Sequence, residues 1–143
     1  MKRSVIYLWF TALVFLSVLV SCKEKDNSTN AFADSNYLSN IPVTSSVANS
    51  FSFVVNARSY NYSQIQAIQF NADTLSIAIT IANFISGSGK IIIEDGNGNS
   101  IYEKDLNGAM VSASVLQVSA IPKTVNLNLT NFTGEVTIGL SGK

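Results

Sequence analysis

Apolar side chains occupy every second position in much of the sequence after residue 50. Side chains of a β-strand point alternately to the two faces of a sheet, so a period of two predicts strands that bury one face. Several such strands, separated by turn residues, are typical of a β-sandwich. We therefore predict an all-β fold, a small single-domain antiparallel β-sandwich of immunoglobulin-like or jelly-roll-like type, over residues 51–143. The alternating sets are Phe51, Phe53 and Val55; Leu75, Ile77, Ile79 and Ile81; Val125, Leu127 and Leu129; and Val136, Ile138 and Leu140.

A hairpin is predicted over residues 90–104. Its centre reads DGNGN, and glycine and asparagine tolerate the positive φ angles that tight turns require. Asp95, Asn97 and Asn99 also match the opening D-x-N-x-N of a calcium loop, which makes them candidates for a weak metal site. The match then ends, because the sixth position of the loop is serine and the twelfth is leucine. Turn formation explains the motif better than metal binding does.

No α-helix is expected after residue 22. The best helical candidate, residues 109–118, contains three valines among several small residues. β-Branched side chains lose rotamer freedom in a helix and pack well in a sheet, so this segment fits a strand equally well.

The first 22 residues have the order of a secretory signal. Lys2 and Arg3 precede an apolar stretch over residues 5–20, and small residues then lead to a cleavage site. In a helix these sixteen residues would span about 24 Å, less than the roughly 30 Å of a bilayer core, so an uncleaved anchor fits less well. The closing sequence LVSC, residues 19–22, resembles the lipobox of bacterial lipoprotein precursors.

The lipobox resemblance implies a signal peptide over residues 1–21 and a covalent lipid, diacylglycerol and palmitate, on Cys22. Two or more acyl chains anchor a protein stably, since each buried CH₂ contributes ~0.8 kcal/mol. Cys22 is the only cysteine of the chain, so no disulfide can form within it. The expected location is the outer membrane.

Residues 22–50 are predicted to be the lipidated cysteine and a flexible tether. Thirteen of the 28 residues that follow Cys22 are Ser, Thr or Asn, and such a composition buries too little apolar surface to order itself. Residues 37–47, around Pro42, are a candidate edge strand. The charges of residues 23–26 (KEKD) resemble, in a different register, the export tract of Bacteroidota surface lipoproteins. The cell surface is slightly favoured over the periplasmic face.

Composition excludes several kinds of chemistry. The chain has no histidine, which removes Ser-His-Asp and Cys-His nucleophile systems and histidine zinc sites. Glu94 and Glu103 of the hairpin alternate with Lys90 and Lys104, which predicts cross-strand ion pairs instead of a catalytic carboxylate pair. After residue 21 there are seven Lys and Arg against nine Asp and Glu, so no basic face for nucleic acid is expected. We expect no enzyme activity and no cofactor besides the lipid.

Three side chains are candidates for involvement with sugars. Tyr60 and Tyr62 lie two positions apart and would share one strand face, where their rings would either contact a ligand or cover the edge of the core. Asp73-Thr74-Leu75 resembles the O-glycosylation motif of Bacteroidota secreted proteins, with Thr74 as the acceptor. Asp-Thr is also common where a turn leads into a strand.

The hairpin and residues 123–143 together are similar to immunoglobulin-like modules of Bacteroidota secreted proteins, including the type IX secretion sorting domain. The shared features include a D-x-x-G type of turn and a turn at Thr133-Gly134 before the last strand. This similarity implies shared architecture and no shared function.

The sequence predicts a non-catalytic lipoprotein of the cell envelope that is an interaction or structural accessory module, with a surface glycan-binding or adhesion module as the alternative. Its expected partners are the membrane, an envelope protein or a glycan.

Overall fold

The computed structural model describes residues 39–143, which form six β-strands and no helix. The strands pair only in antiparallel fashion with one another, which confirms the predicted all-β antiparallel class. The predicted signal peptide, Cys22 and the charges of residues 23–26 lie outside the described residues. The strands are β1 (Val43–Val47), β2 (Ser50–Ala67), β3 (Thr74–Glu94), β4 (Ser100–Asp105), β5 (Met110–Gln117) and β6 (Thr124–Gly142).

Three long strands form the centre of the sheet in the order β2-β6-β3. β6 pairs with β2 on one side and with β3 on the other along most of its length. β1 pairs with the first residues of β2, β5 with the first half of β3, and β4 with the last residues of β3.

The three long strands bend at the same level of the sheet. The registers of β2 and β3 against β6 shift there, and each strand contains one non-glycine residue with positive φ: Ser59 at 46°, Asn83 at 50° and Asn131 at 46°. The bend folds the sheet over itself into a sandwich of two layers. The five-stranded layer contains β1, the first halves of β2 and β3, β5 and the second half of β6; the four-stranded layer contains the other halves and β4.

Side chains supply hydrogen bonds at the bend. The backbone N–H of Ser59 donates to Thr133 Oγ1 at 2.9 Å, and that of Asn131 donates to Asn61 Oδ1 at 2.9 Å. Gly134, with φ of 154°, lies beside them. The sequence predicts a turn at Thr133-Gly134, and this prediction is wrong: both residues lie inside β6, which bends here without reversing direction.

One hydrophobic core fills the space between the layers. Phe53, in the first half of β2, lies with its ring centroid 5.3 Å from that of Tyr62, in the second half of the same strand, so β2 folds back over the core. The four alternating sets predicted from the sequence all point into this core, which confirms them. The buried cluster consists of Phe51, Phe53, Val55, Ala57, Ile68, Phe70, Leu75, Ile77, Ile79, Ile81, Ile91, Ile93, Leu106, Val125, Leu127, Leu129, Phe132, Val136, Ile138 and Leu140.

The folded part of the chain begins earlier than residue 51. β1 lies within residues 22–50, which composition assigns to the tether, and agrees with the candidate edge strand at residues 37–47. Ahead of β1, the backbone N–H of Asn40 donates to the carbonyl oxygen of Asn56 at 2.8 Å. Residues 109–118 contain β5 and are thus a strand. Within residues 39–143 there is no helix of the length and apolarity that a membrane span needs.

Candidate functional site

The outer face of the five-stranded layer carries no charged residue over three rows of side chains. Residues paired across neighbouring strands lie on the same face of a sheet, so the registers define the rows. We call these residues the uncharged face. The rows are Val43, Val54, Thr137, Thr80 and Val111; Ser45, Ser52, Gly139, Ala78 and Ala113; and Val47, Ser50, Ser141, Ser76 and Val115.

Valines at both edges make the uncharged face partly apolar. Val111 and Val115 on β5 are 85% and 70% exposed, and Val43 and Val47 on β1 are 65% and 59% exposed. With strands ~4.8 Å apart and residues ~3.4 Å apart along each strand, the face measures about 19 Å by 14 Å. A surface without charges can be covered by another molecule without the desolvation cost that an ion would add.

The outer face of the four-stranded layer is charged. Lys90 Nζ lies 2.5 Å from Glu103 Oε1 and 3.6 Å from Asp105 Oδ1. The hydrogen bond and charge of Glu103 raise the pKa of Lys90. On the same face, Thr124 Oγ1 donates to Glu94 Oε2 at 3.2 Å. The cross-strand ion pairing predicted for the hairpin is therefore confirmed at Lys90, and the two outer faces of the sandwich differ sharply in charge.

The turn of the hairpin is organised by Asp95. Its Oδ1 accepts hydrogen bonds from the backbone N–H groups of Asn97 at 2.8 Å and Asn99 at 2.9 Å, and its Oδ2 accepts one from Asn99 Nδ2 at 2.9 Å. These bonds, with the Asn99 side chain contributing most, hold the pKa of Asp95 below its usual range. Both oxygens that a cation would need thus already accept bonds within the turn. No group of three Asp, Glu, His or Cys side chains suited to a metal occurs within residues 39–143.

Tyr60 and Tyr62 stand side by side at the edge of the four-stranded layer. Their ring centroids are 5.9 Å apart, with 31° between the ring planes. Both rings are partly buried against the core, and Tyr62 also contacts Phe53. The Tyr62 hydroxyl donates to Gln64 Oε1, and burial raises the pKa of Tyr62. The pair therefore contributes to core packing while part of each ring remains accessible.

Thr74 is the first residue of β3 and is half-buried. Its Oγ1 donates to Asp73 Oδ1 at 3.2 Å, and its carbonyl oxygen accepts a bond from the backbone N–H of Lys143 at 3.0 Å. The hydroxyl thus takes part in a local contact where a turn leads into the strand. Glycosylation at Thr74 stays a prediction.

The uncharged face is the feature that the residue pattern does not reveal. The sequence shows Ser76, Ala78 and Thr80 as the outward positions of one strand. The row that contains Thr80 continues to Thr137 on β6 and to Val111 on β5. This continuation depends on the strand order β2-β6-β3-β5, in which β6, the last long strand of the described chain, lies between β2 and β3. The sequence signal that could have identified this face is the absence of charged residues at the outward positions of several strands.

No protein-family model and no curated protein matches the chain. Two solved structures show a partial likeness. One belongs to Bacillus endospore appendages, described as a novel family of disulfide-linked pili, with a TM-score of 0.40 and 9% identity over 71% of this chain and 88% of that chain. The other is the enzymatically active domain of bacteriophage CBA120 tailspike protein 4, with a TM-score of 0.37 and 15% identity over 72% of this chain and 18% of that chain.

Proposed function

We propose that this chain is a lipid-anchored lipoprotein of the bacterial outer membrane whose β-sandwich is a non-catalytic interaction or structural accessory module. The uncharged face is the observation that carries the proposal. It extends across five strands and includes Val111 and Val115, which are 85% and 70% exposed. The lipobox-like sequence at residues 19–22 supplies the anchor on Cys22.

The contrast between the two outer faces supports an interaction role. A face without charged side chains can be covered by a partner at little desolvation cost, and exposed valines at both of its edges add apolar contact area. The four-stranded layer shows the ordinary alternative, with Lys90 paired to Glu103 and Asp105 on its outer face. A module that displays one charged face and one uncharged face is suited to bind another protein of the envelope through the uncharged one.

Anchoring and location are tested with a tagged chain and its Cys22→Ser variant. Cells are given an alkyne-bearing palmitate analogue, and their membranes are separated into inner and outer fractions. The wild-type chain is expected to carry the label and to sediment with the outer membrane, whereas the variant carries none. Protease added to intact cells then separates a surface location, which we expect, from a periplasmic one. An unlabelled wild-type chain in the soluble fraction would contradict the proposal.

Two serines on β2 provide a matched test of the face. Ser52 lies on the uncharged face and Ser63 on the outer face of the four-stranded layer, and both are exposed. A photo-crosslinking amino acid at position 52 is expected to give a discrete adduct in cells, and one at position 63 is not. Ser52→Lys should weaken adducts formed from position 78, while Ser63→Lys should not. Equal crosslinking from both positions would count against a contact role for the face.

A surface glycan-binding or adhesion module is the second candidate. It is favoured by the tyrosine pair, whose ring centroids lie 5.9 Å apart at the edge of a layer, since aromatic rings with polar tips are suited to ligand contact. The test is retention on immobilised glycans. Tyr60→Ala should abolish retention with little loss of stability if this candidate holds, and unchanged retention would end it.

A further inference from the structure

The β5 strand reads almost identically in both directions. Residues 110–116 are Met-Val-Ser-Ala-Ser-Val-Leu, a sequence symmetric about Ala113. The one mismatched pair of this symmetry is Met110 with Leu116, and Met and Leu replace each other in packed contacts at small cost. Two antiparallel copies of this strand, centred on Ala113, would therefore place Val opposite Val and Ser opposite Ser.

The hydrogen-bonding groups of β5 alternate between β3 and an open edge. The backbone N–H of Val118 donates to the carbonyl oxygen of Asp73 at 2.7 Å, and this bond continues the regular β5–β3 ladder. In an antiparallel ladder successive residues turn their backbone groups to opposite sides. Even-numbered residues of β5 thus bond to β3, and Val111, Ala113 and Val115 turn theirs outward. Within residues 39–143, β5 pairs with β3 alone.

β5 lacks the features that usually protect an edge strand. Natural edges are blunted by charged residues, proline, bulges or short length. β4 carries Glu103, Lys104 and Asp105, and β1 has five residues and follows Pro42. In the second half of β2, which β1 does not cover, two register shifts around Tyr60 leave only residues 62–67 in unbroken register with β6. β5 has eight uncharged residues, no proline and an unbroken register with β3.

We infer that β5 is a dimerisation strand: two copies of this chain pair their β5 edges antiparallel about a two-fold axis at Ala113. Three residue pairs, Val111 with Val115 of the second copy, Ala113 with itself, and Val115 with Val111, would then exchange about six N–H···O=C bonds. The two five-stranded layers would join into one sheet with a continuous uncharged face. A symmetric contact of this kind closes after two copies and does not continue into a fibre.

The dimer adds a contact at the β5 edge and leaves the uncharged face open, and it rests on the proposed function only through the shared membrane anchor. Strand pairing of this length buries less surface than most stable dimers do. Anchoring both copies to one membrane would raise their effective concentration and strengthen such a contact. The pairing itself does not require the lipid, so it is tested on a chain without one.

The test uses the full chain with Cys22→Ser and Ala113→Cys, so that residue 113 carries the only thiol. Directly opposed residues of this type have Cα atoms about 5.5 Å apart, within the range that a disulfide bridges. Ala78→Cys is the matched control, because Ala78 pairs with Ala113, lies on the same face and is also exposed. Under mild oxidation Ala113→Cys is expected to form the covalent dimer at least about tenfold faster than Ala78→Cys.

Equal rates for the two variants would overturn the inference, as would the absence of a covalent dimer from Ala113→Cys. A benzophenone attached to the same thiol identifies any other occupant of the edge: crosslinks to residues 1–38 of the same molecule, or only to unrelated proteins, would also overturn it. Neither result bears on the lipid label and membrane fractionation, so the dimer and the proposed function fail separately.

Charge exchange gives a second measurement. Like charges directly opposite each other in a sheet repel, and opposite charges attract. Ala113→Lys and Ala113→Glu are each expected to be monomeric in sedimentation, and an equimolar mixture is expected to form a heterodimer. Thermal melts confirm that both variants fold. A mixture that stays monomeric while the unmodified chain dimerises would place the two-fold axis elsewhere and overturn the assignment to Ala113.

Discussion

Gly87 approaches the neighbouring strand so closely that a β-carbon on it would lie 2.5 Å from the carbonyl oxygen of Asn131. The φ of Gly87 is 101°, a conformation that other residues rarely adopt. Both residues lie where β3 and β6 bend from one layer into the other. Glycine is thus required here for two independent reasons, the backbone angle and the close approach of the strands.

Gly87→Ala is therefore expected to lower the free energy of unfolding by at least about 2 kcal/mol, measured by urea denaturation. Gly98→Ala is the matched control, since Gly98 has φ of 83° but nothing within 4 Å of an added β-carbon. It should cost about 1 kcal/mol from the backbone angle alone. Equal losses in the two variants would show that the close approach to β6 is unimportant.

Phe132→Ala should destabilise the domain by about 3–5 kcal/mol, because truncation of a fully buried aromatic ring removes its burial and leaves a cavity. Phe132 is 0% exposed and lies with its ring centroid 5.5 Å from that of Phe84. Phe84→Ala, at a partly buried position, should cost clearly less. Denaturant midpoints of the two variants check this, and a larger loss for Phe84→Ala would contradict the packing described.

Tyr62→Ala should cost about 2 kcal/mol, since its ring is partly buried and packs against Phe53 at 5.3 Å. Tyr60→Ala should cost less, because the ring contact of Tyr60 is with the partly buried Tyr62, whereas Tyr62 also pairs with the fully buried Phe53. Thermal melts of both variants measure the contribution of each ring to core packing, and glycan retention of the same variants measures its contribution to ligand contact. Full stability in Tyr62→Ala would argue against the core contact.

Asp95 should give the domain a defined acid sensitivity. Its folded-state pKa lies below that of the unfolded chain because of the bonds from Asn99 and Asn97. Its stabilising contribution is therefore complete above the ordinary Asp value of about 3.9 and is lost as the pH falls through the folded-state pKa.

The measurement compares unfolding midpoints of the wild type and Asp95→Asn across the acid range. The unfolding midpoint of the wild type is expected to exceed that of Asp95→Asn by a constant amount above about pH 5, and this difference should shrink below about pH 4. A difference that is the same at all pH values would mean that the Asp95 carboxylate is not the group that titrates.

Local pattern was sufficient for the core faces and the hairpin, since both depend on neighbouring residues. Alternation identified Leu75 and Ile77 as inward, and the DGNGN sequence identified the turn. The bend was missed because Ser59, Asn83 and Asn131, which adopt positive φ there, are not glycines and lie inside strands. The nearby Gly134 was interpreted as part of a turn that separates two strands. Each long strand consequently appeared as two shorter ones.

The tether and the candidate surface illustrate two other limits. β1 is polar and mostly exposed, so its composition resembles that of a disordered segment, and only pairing with β2 orders it. On β5 the valines face solvent while Ser112 and Ser114 are half-buried, the reverse of the usual pattern. Which side of such a strand faces the core depends on its register with β3, whose paired residues lie 29 to 43 positions earlier in the chain.

The central position of β6 determines when the domain can form. β6 is the last strand of the described chain, yet it lies between β2 and β3 in both layers. Until residues 124–142 have been synthesised, β2 and β3 lack the strand that joins them. A chain emerging from its N-terminal end can pair β1 with β2 and β3 with β4 and β5, but the two layers and the core between them close only when β6 arrives.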